Sequence, residues 1–152
     1  MSLLYVSPAS GGKLFQAGVS EIPQLLQNNN IYALILSARE FQPKLTDFQP
    51  DFLRLLKGTH IFYVPLLDTP FISQKDLSKV DEISSLAAMF IIKGKNVLST
   101  CYAGLNRSGL ISGHILKKIT GASGNTIIDH IQKHRNPRAL SNSTFAKIIT
   151  KL

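Results

Sequence analysis

Apolar residues gather along this chain in short runs that follow two different periods. The runs over 3–6 (LLYV), 31–37 (IYALILS), 61–66 (IFYVPL) and 97–100 (VLST) are nearly unbroken in aliphatic, aromatic and β-branched residues, the pattern of short buried strands. Apolar positions three and four apart predict helices over 22–27, 52–57, 77–93, 109–119, 126–134 and 143–152. In the 109–119 segment Leu110, Ile111, His114, Ile115 and Leu116 form one stripe. The punctuation agrees: Ser20 suits an N-cap with Pro23 early in its helix, Pro50 interrupts the stretch between Asp47 and Asp51, and Gly121, Ser123 and Gly124 mark a turn. Strands that alternate with helices predict an α/β fold, a mostly parallel sheet of four to five strands flanked by helices. With 152 residues and no long linker or repeat, the chain is expected to form a single domain over 1–152.

Candidate chemistry lies just beyond the fourth strand. Residues 101–108 read CYAGLNRS, a cysteine followed six places later by an arginine and then a hydroxyl. A short loop leaving a buried strand and entering a helix can aim backbone N–H groups at one anion, and the helix dipole favours negative charge there. The same donors stabilise a thiolate, the reactive form of cysteine. Four residue types at these fixed spacings (Cys101, Gly104, Arg107, Ser108) meet by chance in roughly one sequence in a thousand of this length. The competing reading is a buried structural cysteine, the common fate of a lone Cys. It leaves unexplained why strand, loop and helix follow in the order that the chemistry requires.

A thiolate attacking a phosphate ester needs a proton donor for the departing oxygen. Asp68, in VPLLDTPF just past the 61–66 strand, emerges at the same sheet edge as Cys101 if the two strands are parallel. Thr69 and Pro70 would fix the turn that holds it; the competing reading is a turn aspartate with no further role. The remaining acids considered, Asp47, Asp51, Asp76, Asp81 and Glu82, fall in segments with the pattern of loops or helix surface.

Composition narrows the setting. A single cysteine excludes an internal disulfide and predicts a reducing, intracellular, cytoplasmic location; an oxidised Cys101 would have no resolving thiol. Neither a signal peptide, a membrane span nor a lipid anchor is expected from the sequence pattern. The net charge of +8 is uneven: residues 101–152 hold eight Lys or Arg against one acid, Asp129, a local balance of +7. Such a field draws anionic substrates, although solvated helix faces would produce it too. His130 and His134 are spaced i, i+4, but with no acidic ligand nearby they predict an exposed helix face rather than a metal site, and His60 and His114 are expected to be structural.

CYAGLNRS resembles the signature loop of the cysteine-dependent protein phosphatases, specifically the compact, atypical dual-specificity group. The likeness extends over nearly the whole chain: LLYVSPAS resembles that family's opening strand and turn, YVPLLDTP its general-acid loop, and RNPRALSNSTF its C-terminal Arg, Asn and Phe element. The order of loops differs from low-molecular-weight tyrosine phosphatases, which carry the nucleophile loop near the N-terminus. The resemblance implies Cys101 as nucleophile and Arg107 as the fork on the phosphoryl oxygens. It implies a phosphate cradle from the backbone N–H groups of Tyr102, Ala103, Gly104, Leu105, Asn106 and Arg107. Asp68 would be the acid and then the base, Ser108 would assist departure of the sulfur, and Asn142 would support the site. No metal or cofactor is implied. One departure is Thr100, where the family usually has His before the nucleophile; this predicts a less activated thiol.

The expected substrates are proteins carrying phosphotyrosine and phosphoserine or phosphothreonine, because so short a chain has little room for loops that deepen a pocket. RNA 5′-phosphate removal is the alternative that the basic C-terminal half supports. Phosphoinositide cleavage fits less well, since the loop interior has no lysine. A catalytically weak phosphopeptide-binding module would lack the need for Cys101, Arg107, Ser108 and Asp68 together. A monomer is expected.

Overall fold

The computed structural model describes residues 1–41 and 56–152. Among these, five strands form one sheet in the order β1-β2-β5-β3-β4: β1 (Leu3–Val6), β2 (Lys13–Gly18), β3 (Ile31–Ala38), β4 (His60–Leu66) and β5 (Asn96–Cys101). β1 is antiparallel to β2, and the other pairings are parallel. α1 (Ile22–Asn28) covers one face. α2 (Gln74–Ile92), α3 (Arg107–Thr120), α4 (Gly124–His134) and α5 (Ser143–Thr150) pack together on the other. The alternating side chains of the strands serve two cores. Leu14, Ala33, Ile35, Val64 and Val97 meet the four-helix side, while Phe15, Ala17, Leu34, Leu36 and Leu98 meet α1. A sheet covered on both faces explains why β3 reads as a continuous apolar run.

The structure adds a strand that periodicity does not predict. β2, KLFQAG, carries a buried glutamine and ends in small residues, so neither alternation nor a long apolar run marks it; its pairing between β1 and β5 makes it a strand. Ser20 is not the helix cap: it lies inside a 3₁₀ turn, Val19–Glu21, and Glu21 takes the N-cap position of α1. α2 begins three residues before the expected start of 77, where the Ser73 hydroxyl accepts from the Asp76 N–H. The expected helix over 52–57 lies, at 52–55, outside the described residues, as do Asp47 and Asp51; Leu56 and Lys57 are in a turn.

α3 runs through the middle of the protein. Its residues from Arg107 to Leu116 are all buried, more than the single stripe of its sequence demands. His114 is among them, with Nδ1 2.8 Å from the Leu110 carbonyl, and burial lowers its pKa. The helix stops at Gly121, φ +67. His130 and His134 do not form an exposed face: their rings stack at 4.1 Å, and His130 Nε2 lies 2.6 Å from the Leu4 carbonyl, fastening α4 to β1. His60 packs against the Tyr32 ring at 4.6 Å.

The parallel register aligns the carboxyl ends of four strands. Gly18 lies opposite Cys101 and Ala38 opposite Leu66, so the residues that follow β2, β3, β4 and β5 emerge at one edge of the sheet. Glu21, Glu40, Asp68 and the loop after Cys101 are delivered there, where open α/β sheets bind ligands. Among the described residues no helix is long and apolar enough to cross a membrane.

Candidate active site

Cys101 ends the central strand β5 and is only 3% exposed. Its Sγ lies 3.2 Å from the Ser108 hydroxyl, in the first turn of α3. The Ser108 carbonyl accepts from Ser99, which ties the helix head back to the strand from which the loop departed. Thr100 lies next to Cys101 in sequence and apart from it in bonding. It is fully buried, its hydroxyl donates to the Ile35 carbonyl at 2.6 Å, and its own carbonyl accepts from Ser37 at 2.5 Å. It joins β5 to β3.

The loop between Cys101 and α3 has its carbonyls turned outward one after another. The Tyr102 carbonyl accepts from the Val19 N–H at 3.1 Å, and that of Ala103 from Arg135 Nη2 at 3.2 Å. The Gly104 carbonyl accepts from both Gln16 Nε2 and Arg135 Nε at 3.0 Å, and that of Leu105 from the Leu140 N–H at 3.1 Å. In a planar trans peptide the N–H points opposite to the C=O. Fixing these four carbonyls therefore turns the N–H groups of Ala103, Gly104, Leu105 and Asn106 away from the surrounding protein. Gly104 makes the bend, with φ +74, and any Cβ there would collide with the backbone of Ala17 and Gly18 and with the Arg135 guanidinium. At the head of α3, Asn106 occupies the cap position without a side-chain cap bond, and the first turn carries no acid. The helix end is thus left electropositive.

Arg107 is 6% exposed. Its fork grips Glu40, Nη1 to Oε2 at 2.5 Å and Nη2 to Oε1 at 2.6 Å, and Nη1 also donates to the Leu66 carbonyl at 3.1 Å. Among the described residues its buried Nε–H has no partner. Burial alone would make Arg107 easier to deprotonate, but its contacts with Glu40 and the nearby Cys101 and Asp68 raise its pKa instead. The hydrogen bonds from Arg107 hold the Glu40 carboxyl below the ordinary carboxylate range against a smaller opposing effect of burial.

Asp68 is fixed by two amides. Oδ2 accepts from Asn106 Nδ2 at 3.0 Å, and Oδ1 from Asn142 Nδ2 at 2.9 Å. Asn142 also donates to the Thr69 carbonyl, its backbone N–H donates to Asn106 Oδ1, and its own Oδ1 caps α5 by accepting from the N–H groups of Thr144 and Phe145. One side chain thereby joins the Asp68 turn, the loop after Cys101 and the last helix. Thr69 and Pro70 hold that turn through Thr69 Oγ1 to the Phe71 carbonyl and Thr144 Oγ1 to the Pro70 carbonyl.

Folds of known structure superpose on this arrangement. DUSP15 matches with a TM-score of 0.74 over 98% of this chain and 85% of that one, at 22% identity. Tk-PTP in its active form matches with a TM-score of 0.72 over 99% and 95%, at 18% identity. Kinase associated phosphatase with serine in place of its catalytic-site cysteine matches at 0.71 over 99% and 91%, at 17% identity. The fold is that of the compact dual-specificity phosphatases. No family model matches the sequence, and no curated protein sequence matches it either. The dual-specificity phosphatase fold is thus carried here by a sequence that shares fewer than one residue in four with these structures.

Within this phosphatase fold the structure brings Cys101, Arg107 and Ser108 together, and Asp68 and Asn142 to the same edge. Sequence reasoning missed Glu40, Gln16, Glu21 and the side chain of Asn106, and it gave Arg135, the first residue of RNPRALSNSTF, no role of its own. A signal existed for Glu40, an acid just past the end of a central strand. None existed for Gln16, because its strand was not predicted.

Proposed function

We propose that this chain is a phosphatase that hydrolyses phosphotyrosine and phosphoserine or phosphothreonine in proteins through a cysteinyl-phosphate intermediate, without a metal. The observation that carries this reading is the pairing of Cys101 with a buried arginine whose Nε–H is left open, at a loop whose carbonyls are all engaged elsewhere. Buried donors are nearly always paired, so an open one beside a nucleophile calls for an anionic ligand. The Cys101 thiolate attacks phosphorus in line, the S–P bond forms as the ester P–O bond breaks, and Asp68 gives its proton to the leaving oxygen. Arg107 and the loop amides take up charge on the equatorial oxygens. Asp68, now a carboxylate, accepts a proton from water as the water oxygen attacks phosphorus, and the thiolate leaves with a hydrogen bond from Ser108.

The rim favours protein substrates over RNA. Tyr102 is 59% exposed and Phe71 75% exposed, and with Leu67 they present apolar side chains around the loop and the Asp68 turn, where an RNA site would call for cations. The test is phosphate release in the presence of a chelator from phosphotyrosine and phosphothreonine peptides and from 5′-triphosphate RNA, wild type beside Cys101→Ser. The expected result is release from peptides, lost in Cys101→Ser by roughly 10⁴- to 10⁶-fold. Release from RNA in preference would move the substrate to nucleic acid. Phosphopeptide binding with no release from any substrate would leave a binding module.

A further inference from the structure

We infer that Arg135, braced by Glu21, is a positioning residue that keeps the phosphate cradle open by pinning two of its peptide groups from outside; the inference rests on reading the 101–107 loop as an anion site. The Arg135 side chain is only 8% exposed, and its donors are fully used. Nε donates to the Gly104 carbonyl at 3.0 Å and Nη2 to the Ala103 carbonyl at 3.2 Å. Nη1 and Nη2 hold the two carboxylate oxygens of Glu21 at 3.0 and 2.6 Å, and Nη1 also reaches the Met1 carbonyl at 3.0 Å. Five guanidinium donors meet five oxygens. Glu21 is fixed in turn, since its Oε1 accepts from the Gly18 N–H at the end of β2.

The consequence follows from peptide geometry. The Ala103–Gly104 and Gly104–Leu105 peptide groups are the two that a guanidinium can hold at once, and they contain the Gly104 and Leu105 N–H groups of the cradle. Glycine flanked by two peptide planes has little steric resistance to a flip, which would point a carbonyl where an anion should sit. Of the two bonds on the Gly104 carbonyl, Gln16 supplies one, but the Ala103 carbonyl has Arg135 as its side-chain donor. A lysine at 135 would keep the charge and lose the fork, because its three donors radiate from one nitrogen and cannot reach the five oxygens that the guanidinium meets.

The test compares wild type, Arg135→Lys, Glu21→Gln and, as a control in a remote ion pair, Lys118→Ala, which removes the contact with Asp81. Three readouts are taken on each: phosphopeptide turnover, tungstate binding by calorimetry, and amide NMR of Gly104 and Leu105 with thermal unfolding alongside. For Arg135→Lys the expected result is a fall in kcat and in tungstate affinity of about ten- to a hundred-fold each, less than the roughly hundred- to thousand-fold of removing an oxyanion donor outright, because the loop N–H groups are displaced and not deleted. The Gly104 and Leu105 amide signals should shift or broaden while a cooperative unfolding transition is retained; Lys118→Ala should match wild type. If Arg135→Lys does not fold, Glu21→Gln carries the comparison, with the same signs and smaller effects. A folded variant with wild-type turnover, affinity and amide signals would overturn the inference. Wild type that binds tungstate in an Arg135-dependent way but releases no phosphate would contradict the enzymatic reading alone and uphold the positioning role. Wild type that binds no tungstate, with Gly104 and Leu105 amides indifferent to Arg135, would overturn both.

Discussion

Arg107 and Arg135 stand on opposite sides of one loop, and each grips a glutamate that follows the carboxyl end of a strand, Glu40 after β3 and Glu21 after β2. Both pairs are two-pronged and both guanidinium groups are largely buried. They differ in what is left over. Arg135 has every donor matched within the protein, two of them by loop carbonyls, whereas Arg107 keeps a buried Nε–H with no partner among the described residues. The first arrangement is that of a brace; under the proposed function the second is that of a phosphate receptor. Residue type and charge do not separate these roles, while a count of donors and acceptors does.

If Arg107 is the receptor, the largest effect should come from its own guanidinium, whose fork is held by Glu40 and whose Nε–H is left over. Arg107→Lys keeps the charge but loses the planar donors, and kcat on phosphopeptides is expected to fall by about 10²- to 10³-fold in steady-state assays. Asp68→Ala ranks next, with a loss on the order of a hundred-fold for phosphothreonine peptides and much less for an aryl phosphate whose leaving group needs no proton. Equal losses on both would contradict the role of Asp68 as acid. Asn142→Ala removes a helix cap and one amide on Asp68 together: a destabilisation of about 1 kcal/mol in denaturant unfolding is expected, with a several-fold loss of turnover.

The smallest effect concerns acid. Burial acts to raise the Glu21 pKa, but hydrogen bonds from Arg135 and the Gly18 N–H outweigh it, so Glu21, like Glu40, titrates below its ordinary value of 4.5. A carboxyl whose folded pKa is lowered contributes stability that is complete above its unfolded pKa and is lost as pH falls through the folded one. The melting temperature should therefore drop below about pH 4.5, and Glu21→Gln and Glu40→Gln should each flatten that limb. His114 acts in a separate window: its lowered pKa predicts stability lost as pH falls below about 6.5.

The fold was legible wherever burial on two faces produced long apolar runs, as in β3, or a strict helical stripe, as in α3. It was obscured in β2, where Gln16 and the small residues Ala17 and Gly18 exist to receive the loop and so erase the strand pattern. At the site, Cys101, Arg107 and Ser108 were readable because their spacing is local to one loop. Asp68 was readable through the parallel strands. Glu40, Glu21 and Arg135 were not, because their meaning lies in contacts between residues 31 to 114 positions apart, which no local pattern records. Thr100 shows the reverse case: its position beside Cys101 suggested a role in the loop, and its hydroxyl belongs to the sheet.

The central claim is that phosphorus passes through Cys101. Rapid acid quench of the reaction with a phosphotyrosine peptide, followed by mass spectrometry of the digested protein, tests it directly, with Asp68→Ala included to slow the hydrolytic step. A phosphoryl group on the peptide containing Cys101, formed at least as fast as turnover and absent from Cys101→Ser, is the predicted result. Turnover with no such adduct, or with turnover surviving in Cys101→Ser, would contradict the account.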